Sequence, residues 1–172
     1  MRKCAACPSE LGLGGRRGRL PLYCSSACRQ RAYRARRSRV PAQLRERHAW
    51  VRADHKRPIR PNGRPASSTD QRTWSSWRDV QRGAGDGLGI MLGGGLGCLD
   101  LDHVTDEQAA AFIATVREPI VHVERSLSGD GVHVFIEAPE APGTKRVVDG
   151  LHVERYTRQR FIRVTGRPFR RR

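Results

Sequence analysis

The chain has 172 residues, with 33 Lys and Arg against 17 Asp and Glu, a formal charge of +16 and a pI near 11.2. That length covers one catalytic domain of modest size plus a small appended module, and excludes a polymerase core joined to a helicase. The charge makes an anionic polymer the default partner, whereas the absence of an apolar run near ~20 residues, or of an apolar stretch behind Met1-Arg2-Lys3, argues against a membrane span or a secretory leader.

Residues 1–60 hold 17 of the basic residues against 3 acidic ones, so the front third is the expected electrostatic surface. Within it, Cys4-x2-Cys7 and Cys24-x3-Cys28 stand 16 residues apart. Four thiolates in two close pairs suit tetrahedral Zn²⁺; the alternative is a set of free cysteines in a flexible tail. An odd total of five cysteines points to metal binding in a reducing cytoplasm rather than to disulfides. A stretch this basic and this poor in large apolar residues needs bound metal to be stable. The second pair runs into Arg29, Arg31, Arg34, Arg36 and Arg37, which would meet DNA phosphates, with Tyr33 available to stack on a base. Residues 25–52 read as one basic helix, capped by Ser25 or Ser26 and interrupted at Pro41. The expected organisation is a zinc module with its basic helix over 1–52 and a catalytic domain over 53–172.

Residues 53–73 read as loop, with Pro58, Pro61 and Pro65. Lys56 there could reach a triphosphate or be a solvated loop lysine. Thr73 would cap a short helix whose face carries Trp74 and Trp77, either as core or as a stacking surface. Gly87–Leu92 reads as a strand, Gly93–Gly95 as a tight turn and Cys98–Asp102 as a second strand, with Cys98 in the core. Thr105–Arg117 reads as a helix whose cap is Thr105, with Gln108 three residues later. Ile120–Glu124 and Val132–Ile136 read as strands, and Leu151–Glu154 with Arg160–Val164 as a hairpin. The pattern is α+β with mainly antiparallel neighbours.

Three constellations carry chemistry. In Leu99-Asp100-Leu101-Asp102 the two acids share one strand face while the leucines face the core. Such a pair either binds hard cations such as Mg²⁺ or Mn²⁺, or is an exposed strand end. In Ser126-Leu127-Ser128-Gly129-Asp130-Gly131-Val132-His133, two glycines permit a turn whose backbone N–H groups cradle an anion beside His133; the alternative is a hairpin turn with an incidental histidine. Glu154 sits between apolar neighbours on a late strand. It either completes a three-carboxylate site or forms a cross-strand salt bridge to Arg160 or Arg163.

Taken in order, these motifs resemble the three signatures of the archaeo-eukaryotic primase-polymerase superfamily. The flanks His55-Lys56-Arg57-Pro58, Asn62 to Asp70, Thr73-Trp74, Gly89 to Gly97 and Phe161 to Gly166 resemble its phage and plasmid branch. The resemblance covers about residues 53–167. It implies an RRM-like catalytic core in which Asp100, Asp102 and Glu154 bind two divalent ions, Mg²⁺ or Mn²⁺. Ser128, Gly129 and His133 would bind the triphosphate of an incoming nucleoside triphosphate. The implied reaction is attack of a 3′-hydroxyl on the α-phosphate, on a single-stranded DNA template, beside a separate replicative helicase. The third motif has Glu where many relatives have Asp, which makes Asp149 the fallback acid. A zinc-dependent nucleic-acid-binding protein with an inactive, truncated primase fold is the alternative, and a metal-dependent nuclease a third reading.

Overall fold

A computed structural model describes residues 2–11, 21–37 and 39–169, and only the backbone of 33–37. The Gly- and Arg-rich segment after Leu11 and the side chains of Tyr33, Arg34, Arg36 and Arg37 lie outside the described residues. The chain divides into two compact units between Arg39 and Val40.

The first unit has strands β1 (Arg2–Lys3) and β2 (Glu10–Leu11), which pair antiparallel, and helix α1 (Ser26–Arg37). Ser25 caps that helix, its hydroxyl accepting the Cys28 amide at 3.2 Å. Contrary to the sequence expectation, the basic helix does not continue to residue 52. Pro41 opens a single turn, α2 (Ala42–Arg45), and the chain then becomes strand β3 (Trp50–Asp54). The physical reason is burial: Trp50, Val51 and Ala53 are wholly buried in the second unit, where aromatic and β-branched residues pack well on a pleated sheet. Residues 40–52 accordingly belong to the second compact unit.

The second unit continues with β4 (Arg57–Ile59), β5 (Gly87–Met91), β6 (Leu96–Asp102), α3 (Asp106–Thr115), β7 (Ile120–Arg125), β8 (Val132–Glu137), β9 (Thr144–Val148), β10 (Leu151–Tyr156) and β11 (Phe161–Val164). They build a five-stranded sheet, β7-β8-β6-β10-β9, and a four-stranded sheet, β11-β5-β3-β4. Every ladder is antiparallel, so the class is α+β.

Three local expectations change. Residues 57–59 form a strand, with Pro58 tolerated because β4 is an edge strand. Trp74 and Trp77 lie between two short 3₁₀ turns rather than on a helix, and Asp70, not Thr73, caps the first turn. Both tryptophans pack on the core, Trp77 edge-on to Trp50 at 4.5 Å. Finally, β10 and β11 do not form a hairpin. The Asp149-Gly150 turn, with both residues at positive φ (49° and 79°), pairs β10 with β9, and β11 crosses to the other sheet. Asp-Gly is the type of turn that matches strand twist, so it outcompetes the longer connection through residues 157–160.

The five-stranded sheet has two differently used faces. Leu99, Leu101, Val132, Val134 and Val153 form one core with Ala109, Phe112 and Ile113 of α3. Cys98 and Phe135, on the opposite face, join Trp50, Ile90 and Leu92 in a second core. The acidic motif shares that second face. No helix among the described residues is long and apolar enough to cross a membrane.

Candidate active site and metal centre

Strand register assembles the site. Asp100 on β6 lies opposite His133 on β8 and opposite Glu154 on β10. His133 lies opposite Glu124 on β7, and Glu154 opposite Lys145 on β9. Directly paired residues point to the same face, so Glu124, His133, Asp100, Glu154 and Lys145 form one transverse row across all five strands. Asp102 is two residues further along β6 on the same face, opposite His152 and exposed.

Within the row, Glu124 meets His133, His133 meets Asp100, and Lys145 meets Glu154. His133 Nε2 is 3.6 Å from Asp100 Oδ1, and His133 Nδ1 is 3.5 Å from Glu124 Oε1. Tyr156 donates to Glu154 Oε2 at 2.6 Å, and Lys145 pairs with Glu154 Oε1. The sequence-level alternative for Glu154 is thereby corrected: its cation is Lys145, because β9 rather than β11 is the neighbouring strand, and Arg163 pairs with Asp86 at 2.9 Å. Arg160 stacks over Tyr156, its guanidinium 4.4 Å from the ring centroid.

The electrostatics separate the acids. Burial pushes the Asp100 carboxyl up; His133 opposes this, while Asp102 and Glu154 add to it. Its Oδ1 is buried and accepts no hydrogen bond. Glu154 is held low, chiefly by Lys145 and then Tyr156. Burial also works against Glu124, but hydrogen bonds from His122, His133 and the Thr165 amide outweigh it and hold the carboxyl at about 2. His133 is raised despite its burial, by Glu124 and Asp100. A buried carboxylate oxygen without a hydrogen bond, pressed by neighbouring carboxylates and faced by His133 at 3.6 Å, is eased by added positive charge. Asp100, Asp102 and Glu154 share this sheet face, but among the described residues their carboxylate oxygens are not gathered within 4.8 Å of one another.

The Ser126–Gly131 turn lies alongside the end of β6, where the Val104 amide donates to the Asp130 carbonyl at 2.9 Å. Gly129 adopts φ 94°, and Ser128 donates to Asp130. A Cβ on Gly131 would lie 2.7 Å from the Leu101 carbonyl oxygen, so only glycine lets the turn approach β6 this closely. Lys56 is exposed at the β3–β4 turn, on the other sheet. His103 is also outside the row, paired with Asp130 at 2.8 Å. Asp149 occupies the tip of the β9–β10 hairpin and does not replace Glu154. Sequence reading missed Glu124; its only signal was an acid inside an apolar strand, beside His122.

In the first unit, the four cysteines bring their Sγ atoms within 4.8 Å of one another, the only group of His, Cys, Asp or Glu ligand atoms among the described residues to do so. Separations of 3.5 Å for Cys7–Cys24 and Cys24–Cys28, and 3.6 Å for Cys7–Cys28, approach the ~3.8 Å edge of a tetrahedron with ~2.3 Å metal–sulfur bonds. Hydrogen bonding among the thiols holds Cys24 up at about 12, chiefly through Cys7 and then Cys28. The cluster could hold a metal ion. Arg29 and Arg31 are exposed on α1 above it.

The second unit is thus an α+β domain with antiparallel sheets and a row of acids and a histidine across one of them. The family model described as "Bifunctional DNA primase/polymerase, N-terminal" matches residues 21–164, and the chain belongs to that family. It is similar to a DNA primase-polymerase of Nitratiruptor phage NrS-1, 33% identical over 130 residues that cover 67% of this chain. The match takes in 18% of that relative's length, so this chain spans less than a fifth of it.

Proposed function

We propose that the chain is a DNA primase-polymerase module that makes or extends primers on single-stranded DNA in phage or mobile-element replication. The reading is carried by the transverse row, in which Asp100, His133 and Glu154 are direct neighbours across three strands. The core would be RRM-like. Asp100, Asp102 and Glu154 would hold two Mg²⁺ or Mn²⁺ ions. When bound, these ions supply Lewis-acid stabilisation of the attacking and leaving oxygens. His133, with the backbone amides and hydroxyl of the Ser128-Gly129 turn, would bind and orient the triphosphate of the incoming nucleotide; Lys56 is a further cation for it. The protein need supply little acid-base chemistry, because phosphoryl transfer is governed by positioning and charge.

The cysteines at 4, 7, 24 and 28 would form a structural Zn²⁺ site. Arg29, Arg31, Arg34, Arg36 and Arg37 would grip template phosphates without reading bases. The setting would be the cytoplasm of a host cell, beside a separate helicase. The second reading, an inactive nucleic-acid binder, draws on one observation: Lys145 and Tyr156 already engage Glu154.

A primer-synthesis assay with single-stranded template, nucleotides and Mn²⁺ tests this. Wild type should synthesise, and Asp100→Ala and Asp102→Ala should each lose at least about 100-fold while still binding template. Template binding without synthesis by wild type supports the inactive binder. DNA degradation without added nucleotides supports a nuclease.

A further inference from the structure

Glu124 has no exposed surface. A carboxylate removed from water costs several kcal/mol unless its lone pairs are satisfied. Here they are satisfied by main chain: Oε1 accepts the Thr165 amide at 2.9 Å and Oε2 the Gly166 amide at 2.9 Å. These amides lie just beyond β11, in the Val164-Thr165-Gly166 segment that the site described above leaves without a task. Gly166 has φ 63°, which lets two successive amides turn toward one carboxylate. The remaining faces of the carboxylate meet His122 Nε2 at 3.3 Å and His133 Nδ1 at 3.5 Å.

A carboxylate held by two backbone amides cannot rotate away, and it can only accept. A histidine nitrogen facing it must therefore carry a hydrogen. Phe135 meets the same imidazole edge-on at 6.3 Å. With Nδ1 fixed on Glu124, Nε2 is aimed at the Asp100 side of the row, 3.6 Å from Oδ1.

We propose that Glu124, gripped by the Thr165 and Gly166 amides, is a positioning residue that accepts the His133 Nδ1 hydrogen and fixes the imidazole's orientation, so that Nε2, which carries a hydrogen toward Asp100, faces the nucleotide's triphosphate. The triphosphate end of this proposal rests on the function proposed above; the lock itself does not. Glu124 touches no substrate in this scheme and acts only through His133. Outer partners of this kind typically shift affinity or activity by about 10- to 100-fold.

The test uses the full chain. Long-range ¹H–¹⁵N correlation of labelled histidines should show His133 Nδ1 bearing a hydrogen in wild type. Glu124→Gln, whose amide can donate to Nδ1, should leave that nitrogen bare. It should also weaken binding of a non-hydrolysable α,β-imido nucleoside triphosphate with Mn²⁺, read by calorimetry, by about tenfold, and Glu124→Asp should restore part of the loss. A bare Nδ1 in wild type overturns the proposal. So does wild-type affinity in Glu124→Gln when His133→Ala is weakened. If His133→Ala itself binds like wild type, the triphosphate assignment fails and the Nδ1 hydrogen measurement alone decides the lock. Should Glu124→Gln not fold, judged by near-ultraviolet circular dichroism, the wild-type spectrum still decides it.

Discussion

Glu124 links the site to the acid stability of the second unit. Its carboxyl is held at about 2, against 4.5 when unfolded. Stability from a lowered acid is fully present above the unfolded value and is lost as pH falls through the folded one. The window here runs from about pH 4.5 down to about pH 2, with a span on the order of 3 kcal/mol. Denaturant titrations at pH 6 and pH 3 should show about 2 kcal/mol of that loss in wild type and a flatter profile in Glu124→Gln. Gly131 makes a second prediction at this scale. Its replacement by Ala would drive a Cβ to 2.7 Å from the Leu101 carbonyl and 2.9 Å from the Ser126 hydroxyl. The backbone must move, because a carbonyl offers no flexible end. Gly131→Ala should cost about 1–3 kcal/mol and weaken nucleotide binding, measured by thermal unfolding and calorimetry.

Among the elements, α3 shows local chemistry and tertiary burial acting together. Thr105 accepts the Gln108 amide at 3.2 Å, and Gln108 accepts the Thr105 amide at 2.9 Å, closing a capping box. Asp106 and Glu107 in the first turn suit the helix dipole. The helix covers the sheet face opposite the acidic row, so it supports β6 without touching the chemistry. Thr105→Ala should lower stability by about 1 kcal/mol in denaturant unfolding and leave primer synthesis unchanged. The two edges of the five-stranded sheet are handled differently. Outer strand β7 is partly covered by a bridge from Glu124 to Pro168, whereas β9 is largely exposed, with Val147 at 64%.

For the molecule as a whole, the two units rest on different physics. The second owes its order to two apolar cores, one on each face of the five-stranded sheet. The first has strands of only two residues and a helix rich in arginine, so under the function proposed above its order would rest on metal held by the four clustered thiols. A chelator strong enough to strip Zn²⁺ should therefore abolish the helical signal of the first unit and release about one zinc per chain. The cooperative unfolding of the second unit should persist. Metal analysis with far-ultraviolet circular dichroism checks this, and Cys24→Ser should reproduce it without chelator.

The sequence alone determined the local pieces: the Asp100-Leu101-Asp102 alternation, the cysteine spacing, the Thr105 cap and the glycine turn before His133. Each rests on short-range rules of period, capping or positive φ that operate within a few residues. Only the tertiary structure decided which strands are neighbours, and that choice set the partners. It gave Glu154 to Lys145 instead of Arg160 or Arg163, sent β11 to the other sheet, and turned residues 50–52 from the end of a helix into part of strand β3. It also brought Glu124 under the Thr165 and Gly166 amides, 41 and 42 residues away. No local pattern encodes such contacts, because strand pairing is settled by the burial of whole faces, summed over the fold.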